Sequence, residues 1–177
     1  MSDDDELAVL ARGLEQTADL LGEVPEDRLA GPTPCDDWTL SDLVDHVVRA
    51  AGAFAVSVRG GDVDWSAPTP HVGPDREDRF RAGAADLLAA WRAQGTDGAD
   101  IGPDWQTAEM AVHTYDLAAA LGRPTADLDP AVAERGLAFM QANLTPEIRG
   151  EAFGPERPAP EGADAYQRIA AFAGRSV

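Results

Sequence analysis

The sequence predicts an all-α domain: a four-helix bundle with short additional helices and a long C-terminal coil. Apolar residues recur at three- and four-residue spacing in several segments of helical length, and stretches rich in proline and glycine separate these segments. No segment shows the alternation of apolar and polar residues that is typical of a strand. The length of 177 residues suits one domain, and no change in composition marks a boundary, so residues 1–177 are predicted to form a single domain.

The first predicted helix covers residues 4–21, and the connector after it covers residues 23–38. The helix carries a one-sided apolar stripe formed by Leu7, Leu10, Leu14, Ala18 and Leu21. Gly22 provides a stop signal for this helix. The prolines of the connector prevent it from continuing as a helix, and it ends at Trp38, which we expect to pack over the end of the bundle.

The second predicted helix covers residues 40–58. Thr39 is a suitable N-cap, and Asp42 three residues later gives an acidic version of the capping box. The predicted buried face consists of Leu40, Leu43, Val44, Val47, Ala51, Phe54 and Val58. His46 lies at the flank of this face, which places it at a seam between helices. The loop over residues 59–73 is long enough that we expect it to form a flap over a cleft.

Two further long helices are predicted over residues 74–94 and 104–122, with a loop over residues 95–103 between them. The apolar face of the former consists of Phe80, Ala84, Leu87, Leu88 and Trp91. Pro103 near the start of the latter and Gly122 at its end are typical helix boundaries.

The remaining chain predicts a fifth helix over residues 130–143, coil over residues 145–163 and a short helix over residues 164–173. Asp129 followed by proline is typical of a helix start. The apolar side of the fifth helix consists of Val132, Leu137, Met140 and Leu144. Four prolines and three glycines favour an extended coil wrapped over the bundle for the segment that follows.

The charge of the chain argues against two classes of partner. Asp and Glu total 32 against 14 Lys and Arg, which gives a formal net charge of −18. Such a surface repels phosphate backbones and anionic lipid headgroups, so neither nucleic acid nor a membrane surface is an expected partner. The N-terminus lacks the basic and apolar regions of a signal peptide, and no apolar run approaches the ~20 residues that cross a bilayer. We therefore expect a soluble cytoplasmic protein.

The fourth predicted helix carries Glu109 and His113 four residues apart. Residues at this spacing stand one above the other on a helix, so a carboxylate and an imidazole could converge on one metal ion. His46 on the second helix would complete a set of two histidines and one glutamate, and three protein ligands with an open position are typical of catalytic zinc sites. The alternative is that both histidines are half-buried seam residues bonded to neighbouring carbonyls, with Glu109 facing solvent. The spacing leaves both interpretations open.

Three other residues could contribute to the same region. Asp116, one turn beyond His113, could orient the imidazole of that histidine or could be only a surface acid. His71 lies in a loop with proline and glycine and is expected to be exposed rather than a ligand. Cys35 is the only cysteine, which excludes an intramolecular disulfide, and a buried structural thiol is favoured over a nucleophile. No nucleophile elbow, phosphate loop, dinucleotide fingerprint or CxxC motif is present.

Two segments and the tail resemble a known family. The run Thr33-Pro-Cys-Asp-Asp-Trp-Thr-Leu-Ser-Asp-Leu-Val-Asp-His46 is similar to one signature of the mycothiol-dependent maleylpyruvate isomerase N-terminal domain. The run Ala108-Glu-Met-Ala-Val-His-Thr-Tyr-Asp-Leu-Ala-Ala-Ala-Leu-Gly122 is similar to the other. Phe153-Gly-Pro-Glu and the later Ala-Phe-Ala-Gly-Arg resemble the tail of a short, single-domain branch of metal-binding proteins within the wider DinB/YfiT-like superfamily of bundles.

This resemblance implies both a ligand set and a cofactor. The metal ligands of the family fall on His46, Glu109 and His113. Isomerase members use a low-molecular-weight thiol, mycothiol, whose sulfur is activated as thiolate by zinc. They also carry an additional C-terminal domain, whereas this sequence ends at Val177. A thiol S-transferase is therefore an expectation beside an isomerase.

The leading hypothesis is a divalent-metal enzyme that activates a thiol cofactor for transfer to, or isomerisation of, a small electrophile. Zinc is the first expectation for the metal, with nickel or iron as alternatives because the same ligands suit all three. The partners are then a small-molecule substrate and a low-molecular-weight thiol, and a homodimer through a bundle face remains open. The rival hypotheses are a metal-binding or sensing bundle without catalysis and a metal-free helical scaffold.

Overall fold

The computed structural model describes residues 3–35, 37–96, 102–146, 148–149 and 153–177. These residues form six α-helices and no strand: α1 (Asp3–Gly22), α2 (Leu40–Val58), α3 (Arg76–Gln94), α4 (Pro103–Leu121), α5 (Pro130–Asn143) and α6 (Ala165–Phe172). The 3₁₀ turns Glu26–Arg28 and Thr125–Asp127 are short additions. The all-α prediction is confirmed, and every predicted helix is present close to its predicted ends. Part of the predicted loop over residues 95–103 and part of the coil over residues 145–163 lie outside the described residues.

Helices α1 to α4 pack around the larger of two apolar cores, and α5 and α6 pack against α4 around the smaller one. The larger core includes the fully buried side chains of Leu10, Leu21, Leu43, Phe80 and Leu87. The smaller core includes Val132, Met140, Tyr166 and Ile169. Because α4 has neighbours on both sides, most of its residues are buried, including polar ones. The candidate ligands on α4 therefore lie on the helix that packs between the two cores.

Glycine at position 136 sets how closely α5 approaches α4. A Cβ added at Gly136 would lie 2.9 Å from the Cα of Ala108 and 2.9 Å from Cδ1 of Ile169. Real Cβ atoms do not approach backbone this closely, so only glycine permits the observed separation of the two helices.

The helix boundaries follow the predicted capping chemistry. Thr39 Oγ1 accepts a hydrogen bond from the Asp42 N–H at 3.3 Å, and Asp42 Oδ2 accepts one from the Thr39 N–H at 2.9 Å. This reciprocal pair is the predicted capping box. Asp129 caps α5 by accepting from the Ala131 N–H at 3.0 Å, and Gly122 ends α4 with φ at +70°.

The segment over residues 59–73 lies along α2 and is not a flap over the cleft, so that expectation is wrong. Arg49 donates hydrogen bonds to the backbone carbonyls of Asp64 and Ala67. Asp45, buried on α2, accepts one from the Val72 N–H at 2.8 Å. These polar groups of α2 fasten the segment to the helix. None of the described helices combines the length and the apolar character needed to span a membrane.

Candidate metal centre

Three side chains from two helices meet at one point. His46 comes from α2, and Glu109 and His113 come from α4. His46 Nε2 lies 3.1 Å from Glu109 Oε1, and His113 Nε2 lies 3.3 Å from the same oxygen. One ligand atom from each of the three residues lies within 4.8 Å of the others. The Glu109 side chain is only 13% exposed, so the alternative in which it faces solvent is wrong.

These separations suit a divalent metal. Metal–ligand distances of about 2.0–2.1 Å place neighbouring atoms of a tetrahedral site about 3.3–3.4 Å apart. The distances of 3.1 Å and 3.3 Å from the Glu109 oxygen to the two imidazole nitrogens are close to that spacing. Two nitrogens and one carboxylate oxygen are ligands that zinc, nickel and iron all accept. The three residues could hold such an ion and leave one position open.

A cavity of about 380 Å³ opens beside these side chains. Besides the three candidate ligands, it is lined by Pro34, Cys35, Asp37, Trp38, Phe153, Gly154 and Arg175. The lining thus comes from the connector before α2, from α2 and α4, from the coil before α6 and from the turn after α6. The cavity gives a small molecule access to the candidate centre.

Trp38 lies over both imidazole rings. Its ring centroid is 4.7 Å from that of His46 and 5.9 Å from that of His113, with the latter pair of rings stacked. Thr33 shapes the connector that carries the indole, because its hydroxyl donates to the Trp38 carbonyl at 2.9 Å and accepts from the Cys35 N–H at 3.1 Å. The expectation that Trp38 packs over the end of the bundle is thereby refined: the indole restrains the two histidines.

Asp116 is fully buried and contacts the His113 ring. Its Oδ2 lies 3.0 Å from His113 Nδ1, and its side chain has no exposed surface. The interpretation as a surface acid is therefore wrong, because α6 and the turn after it cover this side of α4. With Nδ1 facing Asp116, Nε2 of the same ring faces Glu109.

Cys35 is half-buried in the cavity wall, which corrects the expectation of a buried structural thiol. Its Sγ lies 3.2 Å from Asp116 Oδ2, and Cys35, His113 and Asp116 form a second group whose geometry could hold a metal. However, the guanidinium of Arg175 contacts both Asp116, at 3.0 Å, and the Cys35 sulfur, at 3.4 Å. A positive charge already neutralises this second group, so the group formed by His46, Glu109 and His113 is the better candidate.

Arg175 is the site residue that sequence reasoning missed. It lies in the turn after α6 with only 8% of its surface exposed, and it pairs with Asp116 across 59 positions of sequence. The only signal was the similarity of the tail, which assigned it no role. His71, in contrast, lies away from the centre with its side chain 66% exposed, as predicted.

The electrostatics of the centre favour positive charge. Burial by itself raises the pKa of Glu109, but the imidazoles of His113 and His46 outweigh burial and hold that pKa well below its ordinary value. Burial opposes protonation of His113, yet the Glu109 carboxylate and a hydrogen bond to Asp116 raise its pKa well above its ordinary value. The Glu109 carboxylate thus stabilises positive charge at this point, and a divalent metal is a cation of the kind it would attract.

The segment that carries the candidate ligands matches a known protein family. Residues 10–118 match the family described as the mycothiol maleylpyruvate isomerase N-terminal domain. The match covers more than half of the chain and includes α2 and most of α4. The chain belongs to this family. All three candidate ligands and Asp116 fall within the matched residues of the mycothiol maleylpyruvate isomerase N-terminal domain, whereas Arg175 falls outside them.

Relatives occur in Mycobacterium tuberculosis. Uncharacterized proteins of strains CDC 1551 / Oshkosh and H37Rv are each 34% identical over 193 residues, covering 98% of this chain and 99% of the relative. Another uncharacterized protein of strain H37Rv is 28% identical over 192 residues, covering 85% of this chain and 74% of the relative. No solved structure matches the chain.

Proposed function

We propose that this protein binds a divalent metal, with zinc the first candidate, through His46, Glu109 and His113. We further propose that it uses a low-molecular-weight thiol of the mycothiol type in transfer to, or isomerisation of, a small electrophile. The observation that carries the proposal is the convergence of two imidazole nitrogens on one carboxylate oxygen, at 3.1 Å and 3.3 Å, beside an open cavity. Membership of the mycothiol maleylpyruvate isomerase N-terminal domain family supports the choice of thiol.

The residues of the chain have distinct roles in this proposal. A bound divalent metal would supply Lewis acidity that lowers the pKa of a thiol, so that its nucleophilic thiolate persists at neutral pH. Asp116 holds the His113 ring, and Trp38 restrains both imidazoles. Pro34 and Phe153 add apolar wall to the cavity, which limits the water around a bound thiol and electrophile.

The metal is tested by elemental analysis of purified wild-type protein, His113→Ala and His71→Ala. His71 is a matched control because it is exposed and lies outside the cavity lining. We expect about one divalent metal per chain in the wild type and His71→Ala, and a large loss in His113→Ala. Equal, near-zero content in all three proteins would overturn the proposal and leave the metal-free scaffold.

Catalysis is tested separately by two readouts. Metal-loaded protein is mixed with mycothiol and a panel of small electrophiles, beside His113→Ala. Loss of free thiol reports transfer, and conversion of the electrophile followed by chromatography reports isomerisation, which returns the thiol. We expect turnover with at least one electrophile in the wild type and none above background in the variant. Tight metal binding without turnover for any electrophile would instead support a binding or sensing protein.

A further inference from the structure

The turn after α6 aims Arg175 into the molecule. The Gly174 N–H donates to the Ala171 carbonyl at 3.0 Å, and the Arg175 N–H donates to the Ala170 carbonyl at 2.9 Å. These are the paired hydrogen bonds of a Schellman motif, which needs a left-handed residue, and Gly174 has φ at +90°. A Cβ at Gly174 would also lie 2.7 Å from the Cα of Gly154. Glycine at position 174 thus permits the tight turn that directs the side chain of Arg175 towards α4.

The Arg175 guanidinium grips both oxygens of Asp116. Nε donates to Oδ1 at 3.2 Å and Nη2 donates to Oδ2 at 3.0 Å, while Nη1 donates to the Ala173 carbonyl at 3.1 Å. Oδ2 also lies 3.0 Å from His113 Nδ1 and 3.2 Å from the Cys35 sulfur. Within the described part of the chain, Arg175 is the only donor to Oδ1. Without it, a fully buried carboxylate oxygen would lack its partner and the carboxylate would be free to turn.

We infer that Arg175 is a positioning residue of the candidate metal centre: it fixes the Asp116 carboxylate in the orientation that holds the His113 ring. The metal part of this inference rests on the proposed function. No step of the chemistry is assigned to Arg175, because its three donor nitrogens are all committed to Asp116, Ala173 and the Cys35 sulfur.

The positive charge of Arg175 allows two possible effects on metal binding to be distinguished: repulsion of the metal and orientation of Asp116. A guanidinium near a divalent cation repels it, so removal of the charge alone would strengthen metal binding. If Arg175 acts by orienting Asp116, its removal weakens metal binding instead. Lysine keeps the positive charge but lacks the planar fork that engages two carboxylate oxygens, so it should not replace arginine here.

The test compares Zn²⁺ affinity, by competition with a chromophoric chelator, in wild type, Arg175→Lys and Arg175→Met. Arg168→Met is the matched control, since Arg168 lies on α6 with 44% of its side chain exposed and contacts Glu134 at 3.6 Å. We expect both Arg175 variants to lose on the order of 10-fold or more in affinity and the control to match the wild type. In Asp116→Asn combined with Arg175→Met, the loss should equal that of Asp116→Asn alone, because one residue acts through the other.

A further readout does not need metal. The imidazole ¹H–¹⁵N spectrum of chelator-treated wild-type protein should show a strongly hydrogen-bonded His113 Nδ1–H, and this signal should shift or disappear in Arg175→Lys.

Three outcomes would overturn the inference. The first is a wild-type Zn²⁺ affinity in Arg175→Lys together with a higher affinity in Arg175→Met. The second is a loss of affinity in the double variant that equals the sum of the two single losses, and the third is an unchanged His113 Nδ1–H signal in Arg175→Lys. Should Arg175→Met fail to fold, the lysine variant still decides. If the wild type binds no Zn²⁺, the proposed function fails. The His113 Nδ1–H signal then tests by itself whether Arg175 orients Asp116.

Discussion

Asp116 Oδ2 and His113 Nδ1 lie 3.0 Å apart on successive turns of α4, with the carboxylate fully buried. A hydrogen bond at one ring nitrogen determines which nitrogen remains to face a ligand. In this molecule Nε2 remains, and it faces the Glu109 oxygen at 3.3 Å. The buried hydrogen bond between Asp116 and His113 therefore determines which nitrogen of His113 faces the cavity.

Asp116→Asn should weaken metal binding by about 10–100-fold, the usual cost of losing an outer partner of a ligating histidine. The amide is nearly isosteric but neutral, so it holds the His113 ring less firmly and no longer stabilises a nearby cation. Zn²⁺ affinity is measured by chelator competition, with Asp127→Asn, at an exposed position, as control. Equal affinities in the wild type and Asp116→Asn would show that the observed hydrogen bond does not support metal binding.

Two glycine-to-alanine variants should move stability in opposite directions. Gly136→Ala places a methyl group 2.9 Å from the backbone of Ala108, so we expect a loss of about 1–3 kcal/mol in the free energy of unfolding. Gly52→Ala on α2 meets no atom within 4 Å, so we expect a gain of up to about 1 kcal/mol from helix propensity. Urea denaturation followed by circular dichroism measures both. A tolerated alanine at position 136 would mean that α5 can move away from α4 without cost.

The capping box predicts a pH-dependent contribution to stability. The hydrogen bonds from the hydroxyl and the N–H of Thr39 lower the pKa of Asp42 below its ordinary value. A carboxylate with a lowered pKa contributes stability above the ordinary aspartate pKa, and this contribution is lost as the pH falls through the lowered value.

Thr39→Ala should therefore destabilise the protein by about 1 kcal/mol at pH 7, and by less once Asp42 is protonated in the folded state. Urea midpoints of the wild type and Thr39→Ala at pH 7 and at a pH well below the ordinary aspartate pKa of about 3.9 measure the difference. Thr39→Ser keeps the hydroxyl and serves as control. A cost that stays constant across this range would contradict the assignment to the charged box.

Local signals predicted most of the fold and the core of the candidate site. Helical periodicity, capping residues and proline or glycine boundaries act within a few residues of one another, and they predict the six helices that the described residues form. The spacing of Glu109 and His113 is likewise local, and His46 lies in a recognisable segment of its own. What could not be predicted depends on pairs far apart in sequence, such as Arg175 with Asp116 and Arg49 with the carbonyl of Ala67. No periodic pattern encodes such pairs, since they follow from how the segments pack in three dimensions.

Glu109 is the candidate ligand whose removal should affect the proposed metal centre most. Its carboxylate oxygen lies between the two imidazoles, so Glu109→Gln removes a ligand charge and the group that draws both rings together. We expect a loss of more than about 100-fold in Zn²⁺ affinity, beyond the usual effect of an outer partner. Glu134→Gln, at a side chain 61% exposed on α5, is the control.

Thermal unfolding with and without Zn²⁺ reports the same loss as stability. A ligand that binds only the folded state adds about 4 kcal/mol at a free concentration 1,000 times its Kd. Zn²⁺ should therefore raise the Tm of wild type and Glu134→Gln by several degrees relative to chelator-treated samples, and should leave Glu109→Gln nearly unchanged. If Zn²⁺ raised the Tm of Glu109→Gln as much as that of the wild type, the metal would bind elsewhere. The group formed by Cys35, His113 and Asp116 would then be the next site to test, because its carboxylate and thiol do not depend on Glu109.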